Sequence, residues 1–269
     1  KEVKLFKKVA CLLKRAGLPR FLHRFGPKKY VFAVHFFCLL IKQACKMSYR
    51  RISKLLRELG FKVPTYSALC KCLKRLSVRE LELLLQATNQ FKQVLVAAVD
   101  GFYFSQNNPS YAYLERIKRG FPRKRTQCVA VYDTCRKKWL AAKTRRNAIG
   151  EYKLAKKALR SIISTIRTLV GDKGFDVNDF YRFVKHNGAR AIIPVKKGTH
   201  RGFYRNFMQQ FFRTRTYHRR SIIESGIGQT KQYYGSHLYS RLTIQQRKEV
   251  LLRLVASNLK IGFFKHIFN

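Results

Sequence analysis

The sequence predicts an α/β protein: a mixed β-sheet flanked by helices, preceded by an all-helical front that contains a helix-turn-helix. Three observations carry this. Across residues 1–92 the apolar positions recur at three- and four-residue spacing, the period of an amphipathic helix. At about residue 93 the period changes to an unbroken apolar run over 94–99, of the kind that buried strands show. From there strand-like and helix-like stretches alternate to the end of the chain. The change of period sets the domain boundary, giving a helical domain over 1–92 and a second domain over 93–269.

In the front, the stretch from Ser48 places Tyr49, Ile52, Leu55, Leu56 and Leu59 on one face and ends at Gly60, a natural residue just past a helix end. After Pro64, Thr65 is placed to cap a second helix carrying Leu69, Cys72, Leu73 and Leu76. This pair forms the expected helix-turn-helix, whose outward Tyr66, Lys71, Lys74 and Arg75 suit the major groove of double-stranded DNA. The apolar run over 94–99 ends in Asp100-Gly101, followed by 102–106 and a basic stretch through Arg125. A hairpin is expected over 126–132 and 138–144, with a turn at Asp133-Thr134-Cys135. A helix over 151–165 and a short strand over 167–170 follow, the strand ending in Gly171-Asp172. A helix to His186, a strand over 189–195, a basic segment over 196–215, and a helix through Glu224 come next. An amphipathic helix over 243–259 closes the chain, with Val250, Leu251, Leu254 and Val255 on one side. The order of three strands, helix, strand, helix, strand, helix is that of the RNase H-like fold.

Composition narrows the partner. A net charge of +45 over 269 residues, from 58 basic and 13 acidic side chains, makes a nucleic acid the default ligand. Binding of that kind weakens steeply with salt, because each neutralised phosphate releases counterions. The 46% hydrophobic content and 21 Phe exclude a disordered basic tail. The longest apolar run, 30–41, is interrupted by His35 and too short to span a bilayer, so neither a membrane span nor a signal peptide is expected. Seven cysteines with no CxxC pair exclude a zinc finger and read as mostly buried, reduced thiols, hence a cytoplasmic protein. The histidines show no metal-ligand spacing.

The acids carry the chemistry. Tyr217, Arg220, Glu224 and Lys231 fall at intervals of three, four and seven residues. On one α-helix, at about 100° per residue, those intervals keep all four side chains within roughly 60° of one another. A purely solvated helix face is a poor explanation, since Gly226 and Gly228 each cost a helix about 1 kcal/mol relative to Ala. Asp100 and Asp172 each follow a strand, and sites in open α/β sheets form where strands end. Three carboxylates converging in a field of cations need a metal, and oxygen-only ligands suit Mg²⁺ or Mn²⁺. Two such ions about 3.5 to 4 Å apart serve in-line displacement at phosphorus. The other acids have local explanations. Asp176 and Asp179 fit a capping box, Asp133 fits a turn, and Glu2, Glu58, Glu80, Glu82, Glu115, Glu151 and Glu249 read as surface charges.

Asp100, Asp172 and Glu224, with Tyr217, Arg220 and Lys231 at these intervals and the phrase over 171–176, resemble the DDE transposases of prokaryotic insertion sequences that bear a Tyr-Arg-Glu-Lys signature. The likeness covers about residues 93–260. It implies that Asp100, Asp172 and Glu224 hold the metal ions, that Tyr217, Arg220 and Lys231 grip DNA phosphates, and that transposon ends are cut with water and joined through a 3′-hydroxyl. It also implies pairing of two ends by a DNA-bound dimer, in the prokaryotic cytoplasm with the nucleoid, and no small-molecule substrate. Two departures stand out: Gly101 follows Asp100 where that family often has a small hydroxyl residue, and the segment before Glu224 is short. Competing readings are a structure-specific nuclease of the same fold and a catalytically inactive, transposase-derived DNA-binding protein. A structural RNA binder has no reason to place acids at two strand ends.

Overall fold

The computed structural model describes residues 2–23, 25, 27–89, 93–106, 115–116, 125–146, 150–198 and 202–261. Most of the basic stretch expected through Arg125 lies outside the described residues. The chain divides into two compact units, one formed by Lys1–Thr88 with Thr230–Asn269 and the other by Asn89–Gln229.

The first unit begins with helices α1 (Glu2–Arg15), α2 (Phe32–Ala44), α3 (Tyr49–Glu58), α4 (Tyr66–Arg75) and α5 (Val78–Ala87). Their starts are set by hydroxyl caps, which satisfy helix N–H groups that have no partner in the first turn. Ser48 accepts from Arg51 N, Thr65 accepts from Ala68 N, and Ser77 forms a reciprocal capping box with Glu80. Glu80 is therefore a capping residue rather than the surface charge the sequence suggests. Gly60, at φ +82°, follows α3 in the left-handed region, where a side chain would be strained. Helices α3 and α4 touch, and residues 59–65 link them, a longer link than the short turn of a helix-turn-helix. On α4, Leu69, Cys72 and Leu73 are buried, while Tyr66, Lys71, Lys74 and Arg75 are exposed.

The second unit is built on β1 (Val94–Gln106), β2 (Thr126–Asp133), β3 (Lys138–Arg145), β4 (Ile166–Gly171) and β5 (Arg190–Ile192). Their order is β3-β2-β1-β4-β5, with β1, β2 and β3 antiparallel and β4 and β5 parallel to β1. The helices of this unit are α6 (Glu151–Leu159), α7 (Asn178–His186), α8 (Phe203–Phe211) and α9 (Thr214–Tyr217), and α10 (Ser221–Tyr234) belongs to it as far as Gln229. One face of the sheet, with Val99, Val129, Val131 and Leu169, buries Leu154 and Leu159 of α6 and Phe180 and Val184 of α7. Aromatic rings cluster at Phe102, Phe104, Tyr132 and Trp139.

Several elements differ from the sequence reading. β1 is one continuous strand through Asp100, so this acid is not at a strand terminus. The expected helix over 151–165 ends at Leu159, and a 3₁₀ turn at Ile163–Thr165 follows. The segment over 196–215 contains α8, whose Phe203, Phe207 and Phe211 recur at four-residue spacing and are exposed.

The closing helix, α11 (Thr243–Asn258), packs on α2, α4 and α5. The sequence reading runs the second domain to residue 269, whereas the contacts group 230–269 with the helical front. α11 is buried almost all round, including Gln246, Lys248 and Glu249, as a central bundle helix is, and is not amphipathic with one buried side. Lys248 Nζ donates to the carbonyls of Leu73 and Lys74, which makes its burial tolerable. Glu249 is likewise an interior residue and not a surface charge; Arg253 Nη2 donates to it at 2.7 Å. All seven cysteines are unbridged, with Cys38, Cys72 and Cys128 buried and Cys11, Cys45 and Cys135 exposed. No described helix is long and apolar enough to cross a membrane.

Candidate active site

The register of the two central parallel strands places the acids. The β1–β4 ladder runs to the pair Val99 and Gly171, and the next residue on each chain is an aspartate. Asp100 is buried, at 8% exposure, and its Oδ1 accepts from Gly101 N at 2.8 Å. Asp172 is half-buried, and its Oδ1 accepts from Gly174 N at 2.8 Å, capping a 3₁₀ turn at Lys173–Phe175. The cap holds the Asp172 carboxylate at the carboxyl end of β4.

Glu224 comes from the first turn of α10, with its side chain 53% exposed. Arg220 joins it to the sheet: its Nη2 lies 2.9 Å from Glu224 Oε1 and 3.7 Å from Asp100 Oδ2. Helix α9 packs on β4, and the 3₁₀ turn at His218–Arg220 packs on β1 and β4, which carries Arg220 to the strand edge. Tyr217, Arg220 and Glu224 thus do not share a single α-helix, as the spacing suggests. They lie on α9, a 3₁₀ turn and α10 in succession. Arg220 and Glu224 still meet, as residues four apart do on a helix, and Tyr217 lies within electrostatic reach of Arg220. Tyr217 packs on Phe212, with ring centroids 5.3 Å apart, and Lys231 sits two turns beyond Glu224 on α10.

The electrostatics are those of a crowded anionic site. Burial pushes the Asp100 carboxyl above the usual carboxylate range; Arg220 and the Gly101 N–H oppose this, and Asp172 and Glu224 add to it. Burial alone would lower Arg220, but Asp100 and Glu224 outweigh it and hold the guanidinium charged. Its Nε is buried without a hydrogen-bond partner. Among the described residues, no three His, Cys, Asp or Glu side chains stand close enough to grip one ion as they are. Arg220 is the cation that stands among these carboxylates.

A further acid belongs to this neighbourhood and was read from sequence as a surface charge. Glu151 opens α6, and its carboxylate fills the space beside Gly101, where an added Cβ would lie 2.2 Å from Oε1. Burial, then Asp172 and Asp100, push its carboxyl upward, while Gln127 donates to it. The available signal was Gly101 itself, a glycine inside a strand, which marks a close approach.

Other acids lie elsewhere. Asp176 does not cap α7, whose N-cap is Val177 without a side-chain bond. It is buried, accepts from Lys196 N and pairs with Arg205 Nε at 2.9 Å, tying α8 to the turn after β4. Asp179 pairs with Lys156 at 2.8 Å. Asp133 is fully buried in its turn, accepting from Cys135 N and Arg136 N.

A family model described as "Transposase DDE domain" matches residues 95–259. The chain belongs to the DDE transposase family. The matched span contains Asp100, Asp172 and Glu224. No curated protein matches the chain. Among solved structures, the transposase is similar to a piggyBac transposase synaptic complex with hairpin DNA, at 11% identity and a TM-score of 0.50 over 97% of this chain and 72% of that one. That likeness shows the fold, an RNase H-like sheet with an added helical region. It is also similar to a pre-cleavage Mos1 transpososome, at 9% identity and a TM-score of 0.22 over 88% of this chain and 79% of that one.

The seating of α10 makes a testable demand. A Cβ at Gly226 would lie 2.9 Å from Tyr132 Cζ, which accounts for the glycine; Gly228 has open space beside it, and nothing in the structure explains that glycine. Gly226→Val is expected to cost about 1–3 kcal/mol by overpacking. Thermal unfolding checks it, and an unchanged midpoint would mean that α10 is not closely seated on Tyr132.

Proposed function

We propose that this transposase cuts the ends of its element in double-stranded DNA with water and joins the freed 3′-hydroxyl to target DNA, using Mg²⁺ or Mn²⁺. The observation that carries this reading is Arg220 bridging Asp100 and Glu224 beside Asp172, a cation already standing among three carboxylates. The donors are all oxygens, which fits a hard divalent ion. Asp100, Asp172 and Glu224 would hold it. When bound, such ions activate the attacking oxygen and stabilise the leaving one.

The chain's own residues do the rest. Asp100 and Asp172 are fixed by backbone N–H groups, so their positions are set before DNA arrives. Arg220, released from the carboxylates, offers a two-pronged donor to a phosphate next to the scissile bond. Tyr217 and Lys231 grip the neighbouring backbone. In the helical front, α4 presents Tyr66, Lys71, Lys74 and Arg75 to the duplex, beside a cavity of about 740 Å³ lined in part by His23, Lys29, His35, Arg57, Lys71 and Arg75. The net charge of +45 supplies the general attraction. Pairing of two ends by two copies completes the reading.

The test is incubation of a labelled duplex bearing the element's 3′-hydroxyl end with a plasmid and Mg²⁺. Joined products are expected. Cutting without joining would replace this reading with that of a structure-specific nuclease.

A further inference from the structure

We propose that Glu151 is a fourth carboxylate of the cation site, facing the same divalent ion as Asp100 and Asp172. The inference rests on the metal-dependent reading above and extends it to a residue outside the Asp-Asp-Glu set. The ordinary explanation for an acid at the first position of α6 is its favourable interaction with the helix N-terminus, which needs only a solvated side chain. Glu151 is not placed that way. It is half-buried, and its carboxylate sits against the backbone at Gly101, directly after Asp100.

Three features of the surroundings serve this placement. Gly101 forgoes a side chain within a strand, a position where glycine weakens pairing and packing. Any Cβ there would meet the Glu151 carboxylate at 2.2 to 2.8 Å, so a serine or alanine at 101 would force the acid away. Gln127, 1% exposed on β2, donates to Tyr103 Oη at 3.2 Å and also to Glu151, which fixes the carboxylate from the neighbouring strand. Helix α6 touches both β1 and the 3₁₀ turn that Asp172 caps, so one element brings Glu151 to both aspartates.

Charge gives the reason. In a chain with 58 basic residues, a merely structural neighbour for Asp100 and Asp172 would be a lysine or arginine. A further acid is repelled by both, and Arg220 contacts Asp100 and Glu224 rather than Glu151. The arrangement becomes favourable when a divalent ion enters, since added ligand charge raises the affinity of a carboxylate site.

The experiment titrates Mn²⁺ alone into the full chain and reads free ion by electron paramagnetic resonance. Glu151→Gln, which keeps the shape and an acceptor for Gln127, is expected to weaken Mn²⁺ binding by roughly tenfold or more. Gly101→Ala, which leaves every ligand side chain in the sequence but displaces the Glu151 carboxylate, is expected to weaken it in the same direction. Asp100→Asn is the reference. Wild-type affinity in Glu151→Gln or in Gly101→Ala, with binding lost in Asp100→Asn, would overturn the role of Glu151 and leave the proposed function standing. If Glu151→Gln does not fold, Gly101→Ala decides alone on the same criterion. No change in any of the three would remove the cation site itself, and with it both readings.

Discussion

Replacing Asp100 with Asn is expected to abolish cleavage and joining, by about a thousandfold or more, while raising the unfolding midpoint of the metal-free protein. The loss follows because the reaction depends on positioning and charge, and Asp100 is the most buried of the proposed ligands and faces Arg220. The gain follows from linkage. Burial, with Asp172 and Glu224, holds the Asp100 carboxyl above its unfolded value of about 3.9. A carboxyl raised on folding binds its proton more tightly in the folded state. Its cost is therefore absent below the unfolded value, grows as pH rises, and is fully present above the folded value. Asn removes that cost and keeps an Oδ1 acceptor for Gly101 N. The midpoint difference should appear at pH 7 and close as the pH falls towards 4. Thermal unfolding of both proteins without metal reads this, and a lower midpoint for Asp100→Asn at pH 7 would make the acid a structural one. Undiminished joining by Asp100→Asn, Asp172→Asn and Glu224→Gln would refute the catalytic assignment.

The largest stability effect is expected in the other unit, at Glu249. Glu249 and Arg253 are 2% and 1% exposed and meet at 2.7 Å. Glu249 also accepts from Tyr239 N and Ser240 N, and Arg253 donates to the carbonyls of Gly235 and His237. Glu249→Ala would leave a buried guanidinium without its counter-charge and two N–H groups without acceptors. A loss of about 3–5 kcal/mol is expected, the range for removing one partner of a buried ion pair. Urea unfolding measures it. Since apolar replacement of both partners is often close to neutral, the Glu249→Leu/Arg253→Leu double variant should lose less than Glu249→Ala. A loss below about 1 kcal/mol in Glu249→Ala would mean that water reaches Arg253.

What the sequence made legible was local. Ser48, Thr65 and Gly60 marked helix ends because caps and left-handed glycines act within a few residues. The apolar run over 94–99 and the hairpin over 126–132 and 138–144 were readable from strand pattern and turn residues. The three acids stood out because few carboxylates exist in this chain. What escaped depended on distant partners. Asp176 has the spacing of a cap, but Arg205, which claims it, lies 29 residues further on. The buried polar residues of α11 look like a solvated face until Leu73, Lys74, Ser240 and Arg253 supply their bonds. Glu151 resembles any acid at a helix start, and only its approach to Gly101 distinguishes it.

Asp100 and Asp172 are proposed to share a divalent cation where the β1–β4 ladder ends, with Arg220 holding its place in the metal-free protein. Anomalous diffraction from crystals soaked in Mn²⁺ tests it most directly. A peak ligated by Asp100 and Asp172 is expected, with the Arg220 guanidinium moved off Asp100. A Mn²⁺ peak elsewhere, with Arg220 still bridging Asp100 and Glu224, would contradict it.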